Sequence, residues 1–291
     1  MDWAAVAIRF GTYAALSLIA GVPLFLCLSL GMRRAGAVLT AWRGPYLLLL
    51  TAAMPLSALA LLSTTAMMAG TSLFPVDGEM ALLVISATPA GKAIVTRLLL
   101  CVLLIALMLS RRSSRLRSIT ALGTIAAMSL VWSGHAAASE GMAGWLHLGG
   151  DALHILAAAL WIGGMACLLM SLRPSGVHLA EPMLRAFAWV GGVIVALLIV
   201  TGLLNMGMTI GFDRLLDSLD GLYGKLLALK IGLFLVMLAL AANNRFRLSP
   251  AFERDRLAAL PTLRHAIAIE IGIAMLILAA VAWLGMIAPV E

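Results

Sequence analysis

The chain has 291 residues, of which 63% are hydrophobic and only 11% are charged. Soluble domains average about 25% charged residues, so this composition excludes a soluble globular fold and favours a protein embedded in lipid. The net charge of +7 comes from basic residues in short connections between apolar runs. We therefore interpret it as a signal of membrane orientation and predict no nucleic-acid partner.

The apolar runs predict helices rather than barrel strands. Backbone amides in a bilayer must bond internally, which leaves helices or closed barrels, and barrel strands alternate apolar and polar residues. Stretches such as 46–53 and 98–109 do not alternate. We predict an all-α polytopic membrane protein with eight transmembrane helices in one bundle, so that 1–291 form a single integral-membrane domain. The predicted spans are 4–30, 45–69, 93–110, 119–138, 146–172, 186–211, 224–243 and 266–287.

The charge in the connections predicts the orientation. Arginines follow the first, third, fifth and seventh spans, whereas the alternate connections are acidic. The arginines are Arg33, Arg34, Arg43, Arg111, Arg112, Arg115, Arg117, Arg173, Arg185, Arg245, Arg247, Arg254, Arg256 and Arg264. By the positive-inside rule both termini are predicted to be periplasmic, in a bacterial inner membrane. The first span lacks a basic region before its apolar run, so we expect it not to be a cleavable signal peptide.

The sequence contains none of the motifs of common enzymes. We find no Walker A motif, no GxGxxG turn after a strand, no HExxH and no GxSxG. We therefore predict that the protein is not an enzyme. Cys27, Cys101 and Cys167 lie singly within apolar runs, so we expect buried free thiols rather than disulfides.

Ionisable residues inside spans are costly and therefore mark candidate functional positions. His147, Asp151 and His154 begin the fifth predicted span at positions i, i+4 and i+7, which share one helical face. His135 lies near the end of the fourth span, and the short connection 139–145 predicts that the two spans are antiparallel neighbours. The histidines are therefore predicted to face one another at the periplasmic rim.

Two methionines lie deeper on the same predicted faces. Met128 is seven residues before His135, and Met165 is eleven residues after His154. Thioether sulfur selects Cu(I), and imidazole binds copper in both oxidation states. We predict a copper ion held by the three histidines, with Asp151 orienting a ring, and passed inward by way of Met128 and Met165. Ordinary interfacial histidines and core-packing methionines are the alternative interpretation.

The remaining embedded charges have structural explanations. Arg9, Arg97 and Lys230 lie within a turn or two of the predicted outer face, where we expect their long side chains to snorkel. A shared polar vestibule is the alternative. Near the inner face, we expect Glu270 to be a partner for Arg264. An exit site formed by Glu270 and His265, one turn away, is the alternative.

The histidine-bearing stretches resemble the copper resistance protein D (CopD/PcoD) family. The matching stretches are 133–136 (SGHA), 147–154 (HLGGDALH), 157–164 (AAALWIGG), 201–205 (TGLLN) and 223–248. The resemblance is clearest over 126–248. In the stretch TGLLN, Thr201 and Asn205 lie four residues apart on one face, where we expect interhelical hydrogen bonds.

This resemblance implies an inner-membrane protein with eight spans, which agrees with the independent count. It also implies movement of copper from periplasm toward cytoplasm, often alongside a small periplasmic copper-binding protein of the CopC type. His135, His147 and His154 match the family's histidine motif.

We therefore predict copper import through a His/Met site between the fourth and fifth spans. Two alternatives stay open. One is a b-type haem electron carrier in which His135 and His154 ligate haem b. The other is a membrane chaperone that loads copper into an oxidase or another partner.

Overall fold

The computed structural model describes residues 2–110, 115–134, 141–173, 176–214 and 220–288. Within these ranges the regular structure is entirely helical, and eight segments are long and apolar enough to cross a membrane. The prediction of an all-α protein with eight spans is thus confirmed. The spans are α1 (Trp3–Ala41), α2 (Arg43–Ala69), α4 (Pro89–Leu109), α5 (Leu116–Met128) with a 3₁₀ turn (Ser129–Ser133), α6 (Gly141–Ser171), α7 (Val177–Thr209), α8 (Leu222–Asn243) with its extension, and α10 (Arg256–Leu284).

Helix α1 contains a change of direction at Gly31. The φ of this residue is +71°, a value that glycine adopts freely and other residues rarely adopt. The segment before Gly31 corresponds to the predicted first span, and the segment after it carries Arg33 and Arg34. The element is therefore longer than the predicted span because a second helical stretch follows the turn.

The short helix α3 (Gly78–Ala87) lies in the connection between the second and third spans. Its ten residues are about 15 Å long, half of the hydrocarbon thickness, so it cannot cross the membrane. Asp77 caps it by accepting from the backbone N–H of Met80 at 2.9 Å. The helix folds back onto α4 so closely that a Cβ on Gly91 would lie 2.1 Å from the carbonyl oxygen of Val84.

Helices α1 and α6 form the centre of the bundle. A Cβ on Gly21 of α1 would lie 1.8 Å from the carbonyl oxygen of Ala159 on α6, and one on Gly163 would lie 2.2 Å from the carbonyl carbon of Gly21. The two backbones are therefore in direct contact, as small residues allow inside a bilayer. Helix α6 packs most extensively on α1 and α7 and only slightly on α5, its predicted neighbour.

At the end of the bundle away from the termini, Glu270 of α10 is buried and accepts from Nδ2 of Asn244 at 2.5 Å. This partner differs from the predicted Arg264, which donates to the carbonyl oxygen of Leu172 at 3.0 Å. Asn244 reaches Glu270 because the seventh span continues beyond residue 243. It runs through a π-helical segment into the short helix α9 (Ser249–Arg254).

The cysteines agree with the expectation of free thiols. All three are unpaired, and Cys101 and Cys167 are buried within the bundle, whereas Cys27 is half-buried.

Candidate functional site

Three ionisable side chains form a stripe along α6 that faces one partly open cavity. His147, Asp151 and His154 all line this space of about 240 Å³, which we call the α6 cavity. They share one face of the helix, as their spacing predicts. Further polar groups come from α1, α7 and α8, namely Arg9, Tyr13, Ser17, Asn205, Thr209, Tyr223 and Lys230.

The ring of His154 is held by a hydrogen bond with Thr201 of α7. Nδ1 of His154 lies 2.9 Å from Oγ1 of Thr201, and this hydroxyl donates its hydrogen to the carbonyl oxygen of Leu197. A hydroxyl has only one hydrogen, so Thr201 accepts from His154 and Nδ1 carries the ring proton. The lone pair of the neutral imidazole is therefore on Nε2, the atom left available to bind a cation.

Asp151 lies one turn before His154 and is linked to both α7 and α8. Its Oδ1 accepts from Nδ2 of Asn205 at 3.1 Å, and its charge interacts with the ammonium group of Lys230. Oδ1 of Asn205 is buried and has no hydrogen-bond partner within the described structure. The middle of the α6 cavity therefore offers an acidic group and a free amide oxygen, both of which suit a cation or a water bound to one.

The interhelical bonds expected for Thr201 and Asn205 are confirmed. Both residues bond across to α6, Thr201 to His154 and Asn205 to Asp151. The polar seam of this site therefore runs between α6 and α7.

The stripe extends over two helical turns and does not form one compact centre. His147, which is buried, lies about 10.5 Å along the helix axis from His154 at 1.5 Å per residue. In the ranges that the structure describes, no three His, Cys, Asp or Glu side chains converge to hold a metal. His135 lies outside those ranges.

The two predicted methionine ligands lie away from the α6 cavity. Met165 is completely buried in the hydrophobic core, and Met128 is partly exposed at the end of α5. Neither lines the cavity, whereas Met206 of α7, directly after Asn205, does. Sequence reasoning missed Met206, although its place next to a polar residue inside a span was a usable signal.

The three embedded basic residues, Arg9, Arg97 and Lys230, differ in where their side chains lie. Arg9 and Lys230 both line the α6 cavity, which agrees with the alternative of a shared polar vestibule. Arg9 joins α1 to α10 by donating from Nη1 to the carbonyl oxygen of Gly285 at 2.8 Å. Arg97 does not snorkel to the surface, since its side chain is only 1% exposed.

Two family models match this chain. The model of the copper resistance protein D-like N-terminal domain matches residues 1–145, and the model of copper resistance protein D matches residues 181–284. The stripe on α6 falls in the interval between the two matches. No solved structure matches the chain.

Three curated proteins are similar to the chain. "Copper resistance protein D" of Pseudomonas syringae pv. tomato is 32% identical, over 99% of this chain and 97% of its own length. "Inner membrane protein YebZ" of Escherichia coli is 30% identical over 66% of each chain, and "Copper transport protein CutJ" of Bacillus subtilis is 35% identical over 53% of this chain and 28% of its own. Together with the eight apolar helices, these similarities identify a multi-pass inner-membrane protein that belongs to the copper resistance protein D family.

Proposed function

We propose that this chain carries copper across the inner membrane, from periplasm toward cytoplasm, by way of the α6 cavity. The names of two similar proteins, a copper resistance protein and a copper transport protein, support copper as the cargo. The observation that carries the proposal is the orientation of His154, whose Nδ1 is bonded to Thr201 so that Nε2 is free to bind the ion. A histidine that binds a metal commonly donates its other ring N–H in this way.

The order of groups along α6 supports a stepwise passage. His147, Asp151 and His154 follow one another at intervals of about one turn, and Met206 of α7 lines the same space. Imidazole and thioether groups suit copper, and the carboxylate adds negative charge. In the proposal, copper moves from one or two ligands to the next and is never held by all of them at once.

The proposed route runs beside α7 and α8 rather than between the fourth and fifth spans. The hydrogen-bond partners of the stripe are on α7, and Lys230 of α8 faces the same cavity. Met206 therefore replaces Met128 and Met165 as the proposed thioether ligand. His135 stays a candidate for the first ligand because it directly follows Gly134, which lines the cavity.

Lys230 gives the proposed site a means of discrimination. When no copper is present, the ammonium group and Asp151 attract each other across the cavity, without an ion pair within 4 Å. An incoming cation competes with Lys230 for this carboxylate, so only an ion that also gains imidazole ligands is retained. Hard cations such as Mg²⁺ prefer oxygen ligands and gain little from the histidines.

We also propose that the two matched halves of the chain act as one membrane unit and that a small periplasmic CopC-type protein supplies the copper. The first suggestion is supported by the contacts of α1 with α7 and α10, and the second by the family resemblance.

Copper uptake into proteoliposomes tests the proposal. We expect wild-type protein to raise the initial rate of Cu(I) uptake over empty liposomes. Replacement of His154 by Ala should lower the rate at least 10-fold, because it removes the oriented ligand. The matched control is His265→Ala, which removes an exposed imidazole from α10. Equal uptake by wild-type and His154→Ala protein would overturn the proposed role of the cavity.

The same preparation separates the alternatives. A copper-loading chaperone would bind copper through the same histidines but would not transport it into closed liposomes. A b-type haem protein would purify with a Soret band that His154→Ala abolishes.

A further inference from the structure

A second, partly open cavity of about 320 Å³ lies between α1, α2, α4 and the end of the fourth span. We call it the arginine cavity because both Arg9 and Arg97 line it. Its other polar lining consists of Thr12, Tyr13, Ser63, Thr64, Thr88 and Ser133. Nothing in the copper proposal uses this space.

Arg97 of α4 is almost completely buried, with 1% of its surface exposed. Its Nε donates to Oγ of Ser129 at 2.9 Å, and that hydroxyl donates onward to the carbonyl oxygen of Ala126. Nη2 of Arg97 is buried and has no hydrogen-bond partner within the described structure. A buried guanidinium group with a free N–H is costly unless something compensates it.

Arg9 brings a second incompletely bonded guanidinium group to the same cavity. Its Nη1 donates to Gly285, and its Nη2 donates to the carbonyl oxygen of Ser133. Its Nε is buried and, among the residues that the structure describes, has no partner. Two positive groups, each with a buried N–H that has no partner in the described structure, therefore line one cavity.

The cavity offers these cations no counter-charge from the described part of the chain, where no acidic side chain lines it. The threonine hydroxyls do not compensate either. Thr12, Thr64 and Thr88 each donate to a carbonyl oxygen of their own helix, at 2.7, 2.8 and 2.7 Å. The uncompensated positive charge of the two arginines therefore favours the binding of an anion in this cavity.

We propose that the arginine cavity binds a small oxyanion, a carboxylate or phosphate group. Guanidinium groups present parallel N–H donors that match two oxygens of such groups, and they are more weakly hydrated than ammonium. At about 30 Å³ per water molecule, the cavity has room for roughly ten waters, enough for one such group. The oxyanion is free in solution or belongs to the headgroup of a lipid.

The oxyanion site adjoins the α6 cavity. Arg9, Tyr13, Leu130 and Gly134 line both spaces. A bound anion neutralises the positive charge beside the histidine stripe, where it would otherwise repel a cation. The site is nevertheless independent of the copper proposal, because its binding is measured without copper.

Thermal unfolding of purified, delipidated, copper-free protein in detergent tests the proposal. Inorganic phosphate and acetate are titrated separately, with chloride holding the ionic strength constant. We expect the Tm of wild-type protein to rise saturably with at least one of the two, because an anion that binds only the folded state stabilises it. Arg97→Gln should raise the half-saturating concentration at least 10-fold. Arg97→Lys, which keeps the charge but loses the paired donors, should give an intermediate response.

The matched control is Arg33→Gln. Arg33 is exposed in the helical stretch that follows Gly31, so this substitution should leave the Tm response unchanged. If Arg97→Gln does not fold, Arg9→Gln takes its place with the same expected loss. Adding phosphatidylglycerol to the delipidated protein identifies the source. An Arg97-dependent rise in Tm with lipid assigns a headgroup phosphate, and a rise only with the soluble ions assigns a free anion.

Two results would overturn the oxyanion site. One is a Tm response to phosphate, acetate and lipid that is absent or is the same in wild-type and arginine-cavity variants. The other is a response that appears only in Glu140→Gln, because a carboxylate of the chain itself would then be the counter-ion. Glu140 lies outside the described residues, so this variant is part of the experiment.

Discussion

Nδ1 of His154 on α6 and Oγ1 of Thr201 on α7 are 2.9 Å apart, and the direction of this hydrogen bond is fixed by a third atom. Because Thr201 donates its hydrogen to the carbonyl oxygen of Leu197, the hydroxyl accepts from the ring. The threonine thus determines which nitrogen of His154 is free. It also fixes the orientation of the ring relative to α7.

Replacement of Thr201 by Val should weaken copper binding while leaving the imidazole in place. Loss of a group that orients a histidine ligand typically costs about 10–100-fold in metal affinity, and we expect an effect in this range. Competition titration of Cu(I) against a chromophoric chelator measures it. Thr201→Ser keeps the hydroxyl and should behave like wild type. A Thr201→Val protein with wild-type affinity would mean that the hydrogen bond does not prepare the site.

Replacement of Asp151 by Asn should lower both the Tm and copper uptake. The amide removes the negative charge that interacts with Lys230, leaving a half-buried ammonium group without it. Because no ion pair within 4 Å joins the two groups, we expect a loss of about 1 kcal/mol in stability. The double variant Asp151→Asn/Lys230→Met removes both charges and should recover the Tm, but not copper uptake. Recovery of uptake in the double variant would show that the carboxylate is not a ligand.

Replacement of Gly163 by Ala should be strongly destabilising. The added methyl would lie 2.2 Å from backbone carbon of Gly21, so α1 and α6 would have to separate. Overpacking of a core typically costs about 1–3 kcal/mol, and a backbone clash is at the upper end or beyond. The control on the same helix is Gly149→Ala, which meets nothing within 4 Å and should be neutral or slightly stabilising. Equal Tm values for the two variants would contradict the backbone contact.

Replacement of Asn244 by Ala should destabilise the end of the bundle away from the termini. It leaves the carboxyl group of buried Glu270 without the donor that now lies 2.5 Å away. An unsatisfied buried polar group costs about 1–3 kcal/mol, which thermal unfolding detects. The double variant Asn244→Leu/Glu270→Leu removes both polar groups and should regain most of this loss. If it is less stable than Asn244→Ala, the hydrogen bond is not the source of the effect.

Topology reporters should place both termini in the periplasm. The arginine-rich connections after the first, third, fifth and seventh spans favour the cytoplasmic side. A fluorescent protein that matures only in the cytoplasm should therefore be dark when fused after residue 288 and bright when inserted in the connection between α4 and α5. The reverse pattern would invert the predicted direction of copper movement through the bundle.

The sequence was sufficient for features that depend on local periodicity. The number of spans follows from runs of apolar residues, and the shared face of His147, Asp151 and His154 follows from their spacing. The bonds from Thr201 and Asn205 were also predictable, because a polar side chain inside a span needs a partner on another helix.

Features that depend on contacts between distant segments were not predictable. The short connection 139–145 predicted that the fourth and fifth spans are neighbours, and they are in contact. It did not predict that α1 packs more extensively on α6, where the backbones of Gly21 and Gly163 meet. Met206 lines the α6 cavity in place of Met165 for the same reason, since helix neighbours decide which face of α6 is open. The helix extension beyond residue 243, which brings Asn244 to Glu270, was hidden by the end of the apolar run.

The backbone contact between Gly21 and Gly163 also limits how the bundle can change shape. At this contact the two backbones touch directly, with no side chains between them that could slide past one another. We therefore expect α1 and α6 to move together as one rigid unit. Alternating exposure of the histidine stripe to the two sides of the membrane would then require α7 and α8 to tilt relative to α1 and α6. The hydrogen bonds of Thr201 and Asn205 are the links that such a motion would break and remake.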